Sequence, residues 1–370
     1  MNAKSMPAGF CLLAFVLLAQ VAPARHDAAP PGTKAVKINF AGAGSATADQ
    51  LFQAWIDEYH RLHPATRLSY QAIGSGGGIR QLTGGISSFA VTDLLMPDAE
   101  LARAKGRILA FPVALNAIVP IYNLPDNPKL RFSESTLAGI FLGKIAEWDA
   151  PAIASDNPAV DLPRMDIQVA HHFPSGSAET EIMADYLSKI SPAFRANFAD
   201  SSSANWPVAN AMVGFKGPEG MHQFVGETPG SIGYLPLAMA RFDLAHGDQG
   251  KFECGAVRNS AGQFVTASSE SVAAASAAEV PFIEKQAPDF RVSITNAPGN
   301  RSYPIASFIW LNLYANSVAD KKREAVADFL KWILTDGQQL ASKIGHPPLP
   351  GDLVKIELRR LEVRDPREQN

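Results

Sequence analysis

The chain has 370 residues and a formal net charge of −3, from 33 Lys and Arg against 36 Asp and Glu. This balance excludes the strongly basic surface typical of nucleic-acid binding, and 46 % hydrophobic with 19 % charged residues is typical of a globular protein. The length is sufficient for two lobes, at roughly 100–200 residues per domain.

The first 24 residues of the chain are predicted to be a secretory signal peptide. Lys4 supplies the positively charged end, residues 10–18 the apolar run, and residues 22–24 a cleavage site of small side chains. A membrane anchor is disfavoured because the apolar run is shorter than the ~20 residues that a membrane-spanning helix needs. We therefore expect an exported protein, periplasmic or secreted, that is soluble once the signal peptide is cleaved.

Two cysteines bear on the possible covalent cross-links. Cys11 lies inside the apolar run and would leave with the signal peptide, so that the mature chain keeps only Cys254. With a single cysteine, no disulfide can form within the chain. Residues 25–35 are rich in Pro and Ala and are predicted to be a tether before the first folded element.

Three segments of the chain share one local pattern: a short strand, a turn rich in Gly and Ser, and a helix. They are residues 37–47, 70–78 and 167–177. A helix that begins directly after such a turn points free backbone N–H groups at an anion. The three turns together predict one anion that is held by several helix starts.

Strand and helix patterns alternate along the rest of the chain. Residues 89–93 are predicted to be a short buried strand that ends on an acid, Asp93, and residues 108–119 a longer strand that crosses between two lobes. Residues 322–335 carry the spacing of an amphipathic helix. This alternation predicts an α/β fold with a sheet rich in parallel strands.

The glycine turns also match parts of two nucleotide-binding motifs. Gly42 and Gly44 could begin a dinucleotide fingerprint, but Thr47 stands where that fingerprint needs Gly or Ala. No strand-end acid follows about 20 residues later, and no turn is followed by the Gly-Lys-Ser/Thr of a P-loop. We therefore disfavour a nucleotide site.

Catalysis and metal binding are further alternatives. Ser75 stands between two glycines as in a nucleophile turn, but the earlier glycine of that motif is absent. A triad of Ser75 or Ser177 with His171 or His172 and with Asp93 stays open, because spacing alone does not give the geometry that a triad needs. Adjacent histidines on a strand point to opposite faces, and no second cluster has metal-ligand spacing, so that we expect no metal and no cofactor.

Ten short motifs follow one another between residues 40 and 354. They are residues 41–47, 73–77, 92–93, 141–149, 175–177, 206–207, 216–220, 229–234, 303–305 and 348–350. In this order they resemble the periplasmic phosphate-binding proteins of bacterial Pst-type ABC importers. Each motif is weak alone, whereas ten in sequence are specific for that family.

The resemblance implies a two-lobe periplasmic-binding-protein fold of type 2 with the ligand cleft between the lobes. It implies a monomeric binding protein without catalysis, whose partners are phosphate or a related oxyanion and an ABC-transporter permease, and which binds no nucleic acid. The expected boundaries are residues 36–112 and 299–356 for the first lobe, 113–298 for the second, and 357–370 for a charged tail.

The family holds phosphate with backbone N–H groups, hydroxyls, one Asp and one Arg, and the Asp accepts a proton of the ligand, which separates phosphate from sulfate. The positions that match these ligand-binding residues in this sequence are Ala46, Thr47, Ser75, Gly76, Asp93, His172, Gly176 and Ser177.

The chain departs from the family in the first and third turns. In the first turn Ala46 stands where the family has a hydroxyl, and Thr47 next to it could substitute. In the third turn the change is larger. The Arg position aligns with His172, or else with His171, and Glu179 stands where the family has Thr. If His172 faces the cleft, its protonation near pH ~6.5 should strengthen anion binding on acidification. Glu179 would bring a negative charge toward the anion, but we favour a first-turn acid that stabilises the helix dipole and points to solvent. Arg80 is a possible replacement charge.

These departures leave a second function open. The site residues that set affinity have changed, and a His cannot replace the paired hydrogen bonds of an Arg with phosphate. A member of the family with a degraded anion site could serve protein contacts or signalling instead.

Overall fold

The computed structural model describes residues 38–172, 177–197, 206, 212–240, 252–286, 289–315 and 321–362. The predicted signal peptide, the tether and Gly176 lie outside these ranges. The strands of the described part are β1 Ile38–Gly44, β2 Thr66–Ala72, β3 Phe89–Thr92, β4 Ile108–Tyr122, β5 Arg131–Phe132, β6 Gln168–His172, β7 Met212–Phe215, β8 Ser231–Pro236, β9 Glu253–Cys254, β10 Ala256–Arg258, β11 Phe264–Val265 and β12 Ala306–Tyr314.

Helices follow most of these strands. They are α1 Asp49–Leu62, α2 Ser75–Thr83, α3 Asp98–Arg103, α4 Glu134–Phe141, α5 Pro151–Asp156, α6 Ala178–Ile190, α7 Pro192–Asn197, α8 Pro218–Glu227, α9 Ser269–Gln286, α10 Lys321–Trp332, α11 Gln338–Lys343 and α12 Gly351–Glu362. A π-helical turn, Ile333–Gly337, joins α10 to α11. None of the described helices combines the length and the apolar character that crossing a bilayer requires.

One mixed sheet organises the fold, in the strand order β2-β1-β3-β12-β4-β8-β6-β7, with β9 also paired to β4. Strand β1 is parallel to β2 and β3, and β6 is parallel to β7 and β8. Parallel strands end at the same edge of a sheet, where ligands bind in open α/β folds. The predicted α/β class is therefore confirmed, and two groups of parallel strands each present a carboxyl edge.

The long strand β4 belongs to both halves of the sheet. It pairs with β12 up to Ala117 and with β8 from Ile118 to Tyr122. This is the strand predicted over residues 108–119, and in the structure it continues for three more residues. Because one strand is hydrogen-bonded on both sides of this change of partner, it holds the two groups of parallel strands together.

The packing of α1 fixes the start of that helix against the sheet. Leu51, Phe52, Trp55, Ile56 and Tyr59 are buried on one face, as their spacing predicts. The ring of Phe52 stacks on Tyr70 of β2 at 4.7 Å, and the indole N–H of Trp55 donates to the carbonyl of Gly337 at 2.8 Å. The position of the first glycine turn is thus set by a well-packed core.

The C-terminal helix α12 extends past residue 357, where the charged tail is predicted to begin. It ends at Glu362 in the described part of the chain, and Leu353, Ile356 and Glu357 are buried. Burial raises the pKa of Glu357 well above its usual range. The lobe boundaries themselves stay predictions.

Candidate functional site

Asp93 is the centre of a polar cluster at the end of β3. Its side chain is fully buried. The hydroxyl of Thr47 donates to Asp93 Oδ1 at 2.6 Å, and that of Ser75 donates to Oδ2 at 3.2 Å. Ser45 Oγ lies 2.9 Å from Thr47 Oγ1. We call Ser45, Thr47, Ser75 and Asp93 the first wall of the site.

Three hydroxyls act on the buried carboxyl group of Asp93. Burial raises the pKa of its carboxyl group, and hydrogen bonds from Ser45, Thr47 and Ser75 act in the opposite direction. No Lys or Arg is among the groups that shift this pKa in the described part of the chain. The main-chain carbonyl of Asp93 accepts a hydrogen bond from the Ser307 hydroxyl on β12 at 2.8 Å, so that neighbouring strands hold the acid in place.

Two glycines allow the first wall to close around Asp93. A Cβ atom on Gly78 of α2 would lie 2.4 Å from the carbonyl oxygen of Ala43. Gly44 has a φ of +150°, and a Cβ atom there would lie 1.9 Å from the carbonyl oxygen of Val91. Only glycine permits such close approaches of backbone to backbone. The first turn of α2 therefore lies directly against the end of β1, and the end of β1 lies directly against β3.

The starts of the first two helices place the predicted residues differently. Thr47, Ser75 and Asp93 are brought together, whereas Ala46 and Gly76 are exposed. A guanidinium nitrogen of Arg80 lies 3.5 Å from the position that a Cβ atom on Gly76 would occupy. Arg80 is thus beside the first turn of α2, and its role as a replacement charge stays a prediction.

A second group of residues comes from the end of β6, the start of α6 and β8. We call this group the second wall, and it comprises His172, Ser177, Glu179, Thr180 and Tyr234. Ser177 caps α6, because its Oγ accepts from the backbone N–H of Thr180 at 3.2 Å. The hydroxyls of Thr180 and Tyr234 share a hydrogen bond of 2.7 Å, and the N–H of His172 donates to the Tyr234 hydroxyl at 3.2 Å.

His172, the residue predicted to stand at the family's Arg position, is not exposed. It is buried, and neither ring nitrogen has a hydrogen-bond partner of normal geometry among the described residues. Burial lowers the pKa of its imidazole to about 4, although the backbone of Phe215 partly opposes this. The burial therefore disfavours a His172 that becomes charged near pH 6.5, since a buried imidazole resists protonation, and its role toward the anion stays a prediction. His171 is half-buried, and burial lowers its pKa too.

Glu179 is also placed differently from the expectation. Only 3 % of it is exposed, so the acid does not point to solvent. Burial raises the pKa of its carboxyl group to about 7, with the charges of Asp93 and Glu219 acting in the same direction and its own backbone N–H and Ser177 opposing. Glu179 is buried in the first turn of α6 together with Thr180 and, one turn later, Met183.

The arrangement argues against the catalytic alternative. Ser75 is hydrogen-bonded directly to Asp93, with no histidine between them. The hydroxyl of Ser177 donates to Thr180 at 3.1 Å rather than to an imidazole. A triad needs a histidine between nucleophile and acid. Nor do three or more His, Cys, Asp or Glu side chains gather into a possible metal site anywhere in the described ranges.

Sequence reasoning missed three members of the two walls and one residue that supports them. The members are Ser45, Thr180 and Tyr234, and the supporting residue is Ser307. Ser45 had a visible signal, since it stands in the same Gly-Ser turn as Thr47. Ser307 and Thr180 had none, because only the strand order and the packing of α6 bring them to the site.

Comparisons with known proteins agree in pointing to one family. A profile described as the PBP superfamily domain matches residues 27–337. A phosphate-binding protein PstS of Xylella fastidiosa is 37 % identical over 336 residues, which are 89 % of this chain and 87 % of that protein. The phosphate-binding protein PstS of Haemophilus influenzae is 35 % identical over 317 residues, with coverage of 85 % and 89 %.

Solved structures share the fold at low sequence identity. The phosphate-binding protein of Stenotrophomonas maltophilia has a TM-score of 0.62 to this chain at 17 % identity. The match covers 88 % of this chain and 94 % of the other. The two-lobe architecture of these proteins is therefore the architecture of this chain.

Proposed function

Because the chain belongs to the PBP superfamily and, within it, to the family of the phosphate-binding proteins PstS, we propose that it binds phosphate, or a closely related oxyanion, between its two lobes. The role is binding and delivery, without catalysis. The relatives are named as binding proteins, and the first wall joins the serine to the acid without an intervening base.

The convergence of the Thr47 and Ser75 hydroxyls on the buried Asp93 carboxylate carries this proposal. Both hydroxyls stand at helix starts, where free N–H groups and the helix dipole favour an anion. The carboxylate can accept the O–H of hydrogen phosphate. Sulfate has no proton to donate at neutral pH, so its oxygens would meet the negative charge of Asp93 without a hydrogen bond.

The cellular role follows from the same family. We propose that the protein is exported through the predicted signal peptide, acts as a periplasmic monomer, and closes its lobes over the anion before delivery to an ABC-transporter permease. The lobes would be residues 36–112 with 299–356, and residues 113–298. The change of partner along β4 between Ala117 and Ile118 is consistent with a crossing near the first boundary.

The test is to measure phosphate in the purified mature protein. Denatured protein should release phosphate in a ratio that approaches one per chain, and the stripped protein should bind phosphate in calorimetry far more tightly than sulfate. Absence of bound phosphate together with absence of a calorimetric signal at any pH would overturn the proposal.

A second function, protein contact with a degraded anion site, is favoured by one observation. The second wall presents a neutral His172 where the family has Arg, and no Lys or Arg is among the groups that shift the pKa values of Asp93 and Glu179 in the described residues. Saturable, tight binding of phosphate by the stripped protein would reject this alternative.

A further inference from the structure

Two buried carboxyl groups belong to the same candidate site. Asp93 is 0 % exposed and Glu179 is 3 % exposed. They are close enough for the charge of one to act on the other. One acid in such a site can accept a proton of the ligand, but a second ionised acid would repel any anion. The second acid therefore needs an explanation that the proposed function alone does not give.

We propose that Glu179 is a specificity-determining residue, which in its protonated form donates a hydrogen bond to the bound anion. This inference rests on the proposed phosphate-binding function. The ligand class is a tetrahedral oxyanion that carries a proton for Asp93 and a free oxygen for Glu179. Asp93 accepts one O–H of the ligand, and Glu179 contributes the O–H that a Thr hydroxyl contributes at the matching position of the family.

The position of Glu179 supports this role. It lies in the first turn of α6, two residues after the Ser177 cap, where backbone N–H groups favour a negatively charged ligand. Its side chain is buried, and the Ser177 hydroxyl and its own backbone N–H interact with its carboxyl group. A buried carboxylic acid that stays neutral is a strong hydrogen-bond donor to an anion.

The two charged groups that act on Glu179 favour its neutral form, whereas the Ser177 hydroxyl and the backbone N–H of Glu179 oppose it. The negative charges of Asp93, at the end of β3, and of Glu219, in the first turn of α8, both raise the pKa of Glu179. Tyr234 of β8 senses the charge of Glu179, and burial keeps its hydroxyl protonated. His172 of β6 is held neutral by burial. With a pKa of about 7, Glu179 changes its protonation near neutral pH, and a bound anion would hold the proton in place.

The experiment compares phosphate binding by wild type, Glu179→Gln and Glu179→Thr across a pH series. Gln and Thr donate a hydrogen bond at every pH, whereas Glu179 donates only when protonated. Between about pH 6 and about pH 8.5 the wild-type affinity should fall by roughly tenfold more than that of either variant. The protonation of phosphate itself is the same in all three experiments. The difference between the pH slopes of wild type and variants therefore reports on Glu179 alone. Glu181→Gln, an acid of the same turn that is half-buried, is the matched control and should follow wild type.

Calorimetry in buffers of different ionisation enthalpy gives an independent readout. At about pH 8 wild type should take up close to one proton more per bound phosphate than Glu179→Gln. Equal pH slopes and equal proton uptake in wild type and Glu179→Gln would overturn the inference while leaving phosphate binding intact. Loss of binding at acidic pH in a folded Glu179→Gln would overturn it as well. Failure of wild type to bind phosphate at any pH would overturn the proposed function and this inference together.

Discussion

The two walls of the site differ in how their buried polar groups are paired. In the first wall, a buried acid is surrounded by hydroxyls that donate to it, so every polar group has a partner. In the second wall, His172 is buried with no ring partner among the described residues, and Glu179 is buried with its pKa raised. The first wall is therefore prepared to receive a protonated oxyanion, whereas His172 and Glu179 of the second wall interact favourably with an anion only when they are protonated.

This difference indicates which positions of a binding protein can change without loss of the fold. The first wall is built from turns that also hold the sheet together. The second wall includes the start of α6, whose Ser177 cap and buried apolar face are intact although His172 and Glu179 stand at positions predicted to differ from the family. Substitutions in each wall test this difference.

The largest expected effect is on the acid stability of the second wall. The pKa of His172 is about 4 in the folded protein and about 6.5 in an unfolded chain, so that the unfolded chain takes up the proton first. The free energy of unfolding therefore keeps its full value above pH ~6.5 and decreases as the pH falls toward ~4. The decrease due to His172 is on the order of 3 kcal/mol. His172→Leu should abolish this loss. Urea unfolding of ligand-free wild type and variant at neutral and acidic pH measures it, and parallel pH profiles would show that His172 is solvated.

Asp93→Asn should have the largest effect on ligand choice. Removal of the carboxylate acceptor should weaken phosphate binding by about 2–3 kcal/mol, the cost of a lost hydrogen bond to a charged group. Sulfate should bind better than before, because the buried negative charge has gone. Ligand-free stability should change little, since loss of the buried charge offsets the weakened hydrogen bonds. Calorimetry with both anions tests this, and an unchanged preference for phosphate over sulfate would remove Asp93 from its role.

Ser75→Ala should weaken phosphate binding by about 1–2 kcal/mol, because one hydroxyl donor to the anion or to Asp93 is lost. Thr47→Val is the matched variant of the other helix start and should lose a similar amount. If Ser75 is only a structural residue that accepts from the N–H of Asp93, the variant should melt at a lower temperature while its phosphate affinity stays at the wild-type value.

Ala46→Ser should have the smallest effect. It restores the hydroxyl of the family position, but Ala46 is exposed and Thr47 already donates to Asp93. We expect phosphate affinity to change by no more than about 0.5 kcal/mol, as for an exposed surface substitution. A large gain in a calorimetric titration would mean that the first wall is incomplete without this hydroxyl.

The first wall could be predicted from the sequence and the second could not, for a physical reason. Thr47, Ser75 and Asp93 stand at the ends of strands in a parallel arrangement, and the strand ends meet at one edge of the sheet whatever the packing elsewhere. The state of His172 and Glu179 depends on burial by residues far along the chain, such as Tyr234. Local spacing does not contain that information, so a charged histidine and a solvent-facing acid were the natural expectations.

The close approach of α2 to β1 extends the mutational footprint of the site beyond the residues that can touch an anion. A side chain at Gly78 would displace α2 from the Ala43 carbonyl, and one at Gly44 would meet Val91. Either displacement would move Ser75 or Thr47 away from Asp93. In a deep mutational scan that selects for growth on limiting phosphate, these two glycines should therefore tolerate as few replacements as the acid itself, although neither presents a functional group.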